Sequence, residues 1–309
     1  RETALALAAQ SDVVVENFRV GTLERLGLGW DVLHAQNPRT VLVRISGFGQ
    51  DGPYAERAGF GSIGEAMGGL RHLTGDPDRP PTRVGVSLGD MLAGMQGAYG
   101  ALLALRAAER TGVGQIVDVS LYESVLAVTE ALAAEYVATG RVRERTGSIL
   151  PGVAPSNVYP TADGSWVLIA ANNDAVFQRL VEAMGDESLR DDPAYRDHLS
   201  RGARQAELDE IVAGWTKGLT KSDLLATLEV HGVPAGTVYT AADMVDDPQY
   251  RARQSLVTVP DPVIGEVTMQ NVFPRLSDTP GSVRWSGPTL DQHHDEILDG
   301  LDRGNSQQS

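Results

Sequence analysis

The sequence predicts an α/β protein, with an open parallel-sheet domain followed by a smaller α+β domain. Apolar, β-branched runs at 11–16 and 41–46 are separated by helical segments, the strand–helix–strand rhythm of a parallel sheet. The first run ends in Glu16-Asn17-Phe18-Arg19, so polar residues sit at the strand's C-terminal end, where open α/β sheets bind ligands. Leu150-Pro151-Gly152-Val153-Ala154-Pro155 then reads as a linker by its Pro/Gly content, and short strands and helices follow it.

Composition narrows the function. At roughly 150 residues per domain, 309 residues suggest two domains with a core of useful size. The net charge of −15, from 41 acidic and 26 basic residues, argues against binding a nucleic-acid backbone. There is no cysteine, which excludes disulfides, thiolate metal sites and cysteine nucleophiles. No apolar run reaches the roughly 18 residues that span a bilayer, and no charged-then-apolar signal opens the chain. A soluble, cytoplasmic protein without a membrane partner is the expectation. The chain starts directly on a helix, 1–10, that feeds a strand, so a preceding N-terminal piece is also expected.

The elements follow in order. The first run, 11–16, reads as a buried strand. A helical turn at 22–26 is stopped by Gly27, and a helix at 30–36 by Asn37-Pro38. The strand at 41–46 leads to Gly47-Phe48-Gly49-Gln50-Asp51-Gly52, which matches G-x-G-x-x-G. Pro53 follows and no helix opens there, so this is not a dinucleotide fingerprint. Gly59-Phe60-Gly61-Ser62-Ile63-Gly64 matches again, but no strand precedes it; both read as glycine-rich loops above the sheet. A helix at 63–70, a loop at 74–81, a long helix to Arg110, an alternating strand at 115–121 and a helix at 123–139 complete the first domain. Arg141-Val142-Arg143-Glu144-Arg145 reads as a solvated charged face. In the smaller domain, a turn at 159–165 precedes a strand at 166–170. Helices are expected at 175–184, 204–217, 221–231 and 249–253, and strands at 236–239, 256–259 and 266–271. A last helix at 291–301 carries His293-His294-Asp295-Glu296; adjacent histidines point apart on a helix, so a surface helix is expected and no metal site. Residues 302–309 read as a frayed polar tail.

One stretch stands out: Arg83-Val84-Gly85-Val86-Ser87-Leu88-Gly89-Asp90, ahead of the apolar, Ala/Leu/Gly-rich run that ends at Gly112. It reads as a buried helix opened by Asp90 and closed by a C-terminal glycine. Asp90 admits two readings, a helix cap or a nucleophilic carboxylate able to attack an activated acyl group. Gly85, Gly89, Gly94 and Gly97 clear side chains from around it, which suits either a ligand's approach or tight helix packing.

Several runs together resemble the class III coenzyme A transferases, a family that includes formyl-CoA and carnitine-CoA transferases and the α-methylacyl-CoA racemases. They are Val15-Glu16-Asn17-Phe18-Arg19 with Leu23-Glu24-Arg25-Leu26-Gly27, then Asn37-Pro38-Arg39, Ile45-Ser46-Gly47-Phe48-Gly49-Gln50-Asp51-Gly52-Pro53 and Gly89-Asp90. Thr111-Gly112-Val113-Gly114-Gln115 with Val117-Asp118-Val119, and Gly287-Pro288-Thr289-Leu290, complete an ordered set over almost the whole chain. The resemblance implies that Asp90 is the catalytic aspartate, passing through an acyl-aspartyl anhydride and an aspartyl-CoA thioester. It implies that Asn17, Phe18 and Arg25 contact CoA, with Arg19 a weaker candidate. It implies a Rossmann-like sheet domain, no permanently bound cofactor and no metal. CoA enters as a thioester substrate, with succinyl-CoA or a similar donor and a small organic acid as acceptor.

In the racemase branch a histidine occupies the run matching Gly59-Phe60-Gly61. Phe60 stands there instead and cannot move a proton, which favours transfer over racemisation. A catalytically silent CoA-binding protein on the same fold is the alternative from another class. The implied layout is a CoA-binding α/β domain at 1–145 lacking the family's N-terminal segment, a linker at 146–155, an α+β domain at 156–275, and a segment at 276–309 that returns to the first domain. Subunits of the family interlock as dimers, so an interlocked homodimer is expected.

Overall fold

Residues 1–306 are described by the computed structural model, with side chains through Leu301; Gln307, Gln308 and Ser309, the end of the expected tail, lie outside the described residues. The chain divides into two units, Arg1–Leu150 and the residues from Pro151 onward.

In the first unit, α1 (Glu2–Ala9) leads to β1 (Val13–Glu16), α2 (Thr22–Arg25), α3 (Trp30–Gln36) and β2 (Val41–Ser46). Then come α4 (Gly61–Met67), α5 (Leu70–Leu73), α6 (Leu88–Thr111), β3 (Ile116–Ser120), α7 (Leu121–Leu126) and α8 (Leu132–Thr139). The strands form a parallel sheet in the order β1-β2-β3, with Val13 opposite Val41 and Val43 opposite Val117. The middle strand is the buried one: Val41, Leu42 and Val43 are at most 1% exposed. The buried strand expected at 11–16 is corrected, because β1 is an edge strand. Val14 packs against the cluster of Leu23, Leu33 and Leu42 on one face, while Val15 on the other is 63% exposed.

Two expected helices break at identifiable points. The helix at 63–70 starts earlier, at Gly61, and stops at Gly68-Gly69, where Gly69 turns left-handed (φ 92°) before α5. The helix at 123–139 splits into α7 and α8 around Glu130, itself at positive φ (56°). The long helix α6 is not buried all round, as the sequence suggested. Gly89, Ala93, Gly97, Ala104 and Ala108 form its buried face, packed on α4 at its start and on β2 and β3 beyond it, while Met91, Met95, Tyr99 and Leu102 are each more than half exposed. Small residues on the inner face let the backbone lie close to the sheet: a Cβ on Gly100 would stand 2.5 Å from Val117.

A buried charge cluster holds the ligand end of this sheet. Arg44 on β2 donates from Nε to Glu16 of β1 at 2.7 Å and from both Nη atoms to Glu24 of α2 at 2.8 and 3.1 Å. The other Glu16 oxygen accepts the Phe18 N–H at 2.8 Å, which fixes the loop leaving β1. The run at 141–145 is less solvated than expected: Arg143 pairs with Glu130 and Glu135, and the Arg145 guanidinium donates to the carbonyls of His72, Asp76 and Arg79, tying down the loop before α6.

The second unit holds an antiparallel sheet in the order β4 (Ser156–Pro160), β5 (Trp166–Ala170), β6 (Ala235–Thr237). β4 falls partly where a turn was expected, since the turn proper is Thr161–Ser165 and Pro160 closes the strand. Helices α9 (Asp174–Met184), α12 (Gln205–Thr216) and α13 (Lys221–Val230) supply Phe177, Leu180, Leu208, Leu224 and Leu228 to its core, with α10 (Glu187–Asp191) and α11 (His198–Ala203) between the first two. Arg201 is fully buried there, held by the carbonyls of Ala154, Asn172 and Tyr195 and by Asp174, its guanidinium 4.6 Å from the Phe177 ring centre. Helices α14 (Ala241–Asp246) and α15 (Pro248–Ala252), the hairpin β7 (Leu256–Asp261)–β8 (Gly265–Gln270) and α16 (His294–Ser306) complete the unit. His293 faces Trp285 while His294 bonds Asp291, and among the described residues no cluster of three metal-ligating side chains occurs. No described helix is long and apolar enough to cross a membrane.

Replacing Arg44 with Leu strands a Glu16 carboxylate that is 3% exposed, so urea unfolding should register a loss of about 3–5 kcal/mol. The Arg44 hydrogen bond also holds the Glu24 carboxyl below its ordinary value. Its stabilisation is therefore complete above the unfolded carboxyl pKa of about 4.3 and is lost as pH falls through the lower folded value. Thermal unfolding followed by circular dichroism should fall more steeply on acidification in wild type than in Glu24→Gln.

Candidate active site

The parallel sheet carries its cavity at the C-terminal strand ends. Asn17, Phe18 and Arg19 leave β1, Ser46 and Gly47 leave β2, and Leu121 follows β3; together with Ala55, Arg57, Ala58, Gly59, Phe60 and Asp90 they line a space of about 320 Å³. A parallel arrangement does this by construction, because every strand delivers the loop after it to the same edge. Two glycine loops lie against each other at the rim: a Cβ on Gly47 would stand 2.8 Å from the Gly59 Cα. The loop at 47–52 is fastened from β3, where Asp118 accepts the Gln50 N–H at 2.9 Å. Burial pushes the Asp118 carboxyl above its ordinary value, against that hydrogen bond and with the nearby Asp51 and Glu123 charges adding to the rise.

Asp90 is the third residue of α6, not its cap. Ser87 occupies the cap position, and its side chain bonds no backbone N–H; its hydroxyl accepts from Arg83 instead. The Asp90 side chain is exposed and makes no hydrogen bond or ion pair among the described residues. It stands at the positive end of a 24-residue helix, a favourable place for an anion. Gly61 of α4 lies against it: a Cβ there would lie 2.4 Å from Oδ2. Of the four glycines singled out in the sequence, Gly89 packs on α4, with a Cβ there 2.9 Å from the Gly61 carbonyl oxygen, and Gly97 packs on the sheet. Gly85 and Gly94 meet nothing within 4 Å.

The cavity's electrostatics are simple. Asp90 is the one carboxylate among its described lining residues, and Arg19 and Arg57 are the cations. Neither guanidinium has a carboxylate partner among the described residues; that of Arg57 lies 3.7 Å from the Tyr54 ring centre. Phe60 is 77% exposed in the cavity, and no histidine lines it. His72 pairs with Glu144 at 3.1 Å. An unbonded carboxylate that shares a cavity with two cations suits nucleophilic attack on an anionic substrate. It does not supply the second base that racemisation requires.

Asn17, Phe18 and Asp90 are thus brought together, and Arg19 joins them. Arg25 is not a lining residue: it sits exposed on α2, with Nη2 donating to Thr22 Oγ1 at 2.7 Å. Arg57 was missed in the sequence, since it falls in an aperiodic loop with nothing to mark it.

The description of CoA-transferase family III matches residues 1–294. Succinyl-CoA–D-citramalate CoA-transferase of Chloroflexus aurantiacus is 57% identical over 295 residues, covering 96% of this chain and 73% of the relative. The beta subunit of succinyl-CoA–L-malate CoA-transferase from the same organism is 43% identical, covering 94% and 73%. Among solved structures, a CAIB/BAIF family protein from Brucella suis superposes with a TM-score of 0.86 at 35% identity, over 97% of this chain and 78% of the other. The chain belongs to CoA-transferase family III and is a CoA-transferase.

Proposed function

We propose that this enzyme moves CoA from succinyl-CoA to a small hydroxy-dicarboxylic acid, with Asp90 as the nucleophile. The observation that carries the reading is the unbonded Asp90 carboxylate in a cavity with Arg19 and Arg57. The acid class rests on the two relatives named for D-citramalate and L-malate. An Asp90 oxygen attacks the thioester carbonyl and the C–S bond breaks, giving a mixed anhydride and CoA thiolate. The thiolate attacks the Asp90 carbonyl, releasing succinate and leaving an aspartyl-CoA thioester. The acceptor carboxylate attacks that thioester, forming a second anhydride and freeing the thiolate again. Thiolate attack on the acceptor's acyl carbon then releases the new acyl-CoA and restores Asp90. Backbone N–H groups of the glycine loops at 47–61 are the donors available to the oxyanions.

In this reading Asn17 and Phe18 contact CoA within the cavity. Arg25 takes a phosphate farther out over α2, where its remaining donors are open. CoA is a substrate throughout, and no resident cofactor is needed. In this reading the enzyme acts in the cytoplasm as an interlocked homodimer, with domains at 1–145 and 156–275, a linker at 146–155 and a last segment, 276–309, that closes the ring. The exposed apolar face of α6 supports a partner copy.

Incubation with succinyl-CoA and hydroxylamine should leave a hydroxamate on Asp90, read by peptide mass spectrometry, and Asp90→Asn should abolish both label and turnover. Unlabelled protein that exchanges a substrate α-proton with solvent would instead mean racemisation, and CoA binding with neither signal would mean a silent binding protein. Gly61→Ala forces the Asp90 carboxylate aside, so kcat should fall on the order of 100-fold while the thermal midpoint stays near wild type.

A further inference from the structure

Glu65 on α4 is a carboxylate in a place where a hydrocarbon would cost less. It is 2% exposed, and its charge is offset by Arg71, whose Nε donates to Oε2 at 2.9 Å. A buried ion pair of this kind contributes little net stability compared with apolar side chains of the same volume. Its other oxygen explains its presence better. Oε1 accepts the N–H of Gly89 at 3.4 Å, the second residue of α6 and the neighbour of Asp90.

The first four N–H groups of a helix have no partner within it, and a cap residue normally takes one. In α6 the Ser87 side chain does not. Glu65 takes that place from a separate helix, and the Gly89 position is shaped for it: a Cβ there would stand 3.3 Å from the Glu65 Cγ and 2.9 Å from the Gly61 carbonyl oxygen. Gly61 in turn lies against the Asp90 carboxylate. Helix α4 therefore grips the first turn of α6 at two adjacent points, one polar and one by backbone contact.

We propose that Glu65 is a positioning residue for the transfer reaction: it caps α6 from α4 and so fixes where the Asp90 carboxylate stands in the cavity. The inference rests on the reading of Asp90 as the nucleophile. Glu65 itself touches no substrate and exchanges no proton.

The test compares two variants of nearly equal volume in the full-length protein, by steady-state kinetics with succinyl-CoA and by thermal unfolding. Glu65→Gln keeps an oxygen for the Gly89 N–H but loses the ion pair with Arg71; Glu65→Met fills the space and has no such acceptor. Positioning predicts that Glu65→Met loses about 10- to 100-fold in kcat, with the KM for succinyl-CoA within about threefold of wild type. Glu65→Gln should keep kcat within about threefold of wild type even where its thermal midpoint falls below that of Glu65→Met. Wild-type kcat in Glu65→Met, or a kcat in both variants that follows their thermal midpoints, would overturn the inference. Asp90→Asn is measured alongside: full turnover there overturns the reading of Asp90 and this inference together. Loss of turnover in Asp90→Asn with none in Glu65→Met overturns the inference alone.

Discussion

The ligand end of the parallel sheet depends on the guanidinium of Arg44. It stands on the middle strand, buried, and binds the carboxylates of Glu16 and Glu24, one at the end of β1 and the other on α2. An edge strand held by four residue pairs and packed on one face has little else to fix its C-terminal end. The Glu16 carboxylate passes the constraint on through the Phe18 N–H, so the loop that brings Asn17, Phe18 and Arg19 to the cavity is set by the central strand. A single cation thus links the core of the sheet to the rim of the cavity.

The opposite wall of the cavity is built by close approach. Glycines at 61 and 89 allow α4 and the start of α6 to touch backbone to backbone, and a side chain at either position would collide with its neighbour. Such contact resists small displacements, because a tightly packed surface has no slack to absorb them. That packing is what positions Asp90, since nothing bonded to its carboxylate holds it. Its openness and the rigidity of its surroundings belong together in the proposed reading, in which a nucleophile must be free to react and yet stand in one place.

The two units divide the protein's needs. The second has the more continuous core, with Phe177, Leu180, Leu208, Leu224 and Leu228 fully buried and Arg201 satisfied by carbonyls and a carboxylate among them. The first spends its polar residues at the strand ends and leaves one face of α6 apolar and exposed. Membership of CoA-transferase family III accounts for the ordered motifs along the chain, and every one of those that carries a cavity residue lies in the first unit.

The sequence by itself determined the class of fold and most of its elements, because apolar periodicity and Gly/Pro punctuation are local. Thus 30–36 and 41–46 are a helix and a strand within the bounds expected, and Asn17, Phe18 and Asp90, singled out through the motifs around them, line one cavity. It did not determine which strand lies at the edge, so Val15 read as buried. It did not fix the breaks at Gly68-Gly69 and Glu130, where left-handed backbone interrupts otherwise helical runs. Nor did it separate a cap from a bare carboxylate at Asp90. That distinction rests on Ser87 three residues earlier and on Glu65, which lies 24 residues from Gly89 in the chain and meets it only in three dimensions. Arg57 was invisible for the same reason: a loop side chain becomes part of a site only when folding delivers its loop to the ends of strands remote from it, and no local pattern encodes that meeting.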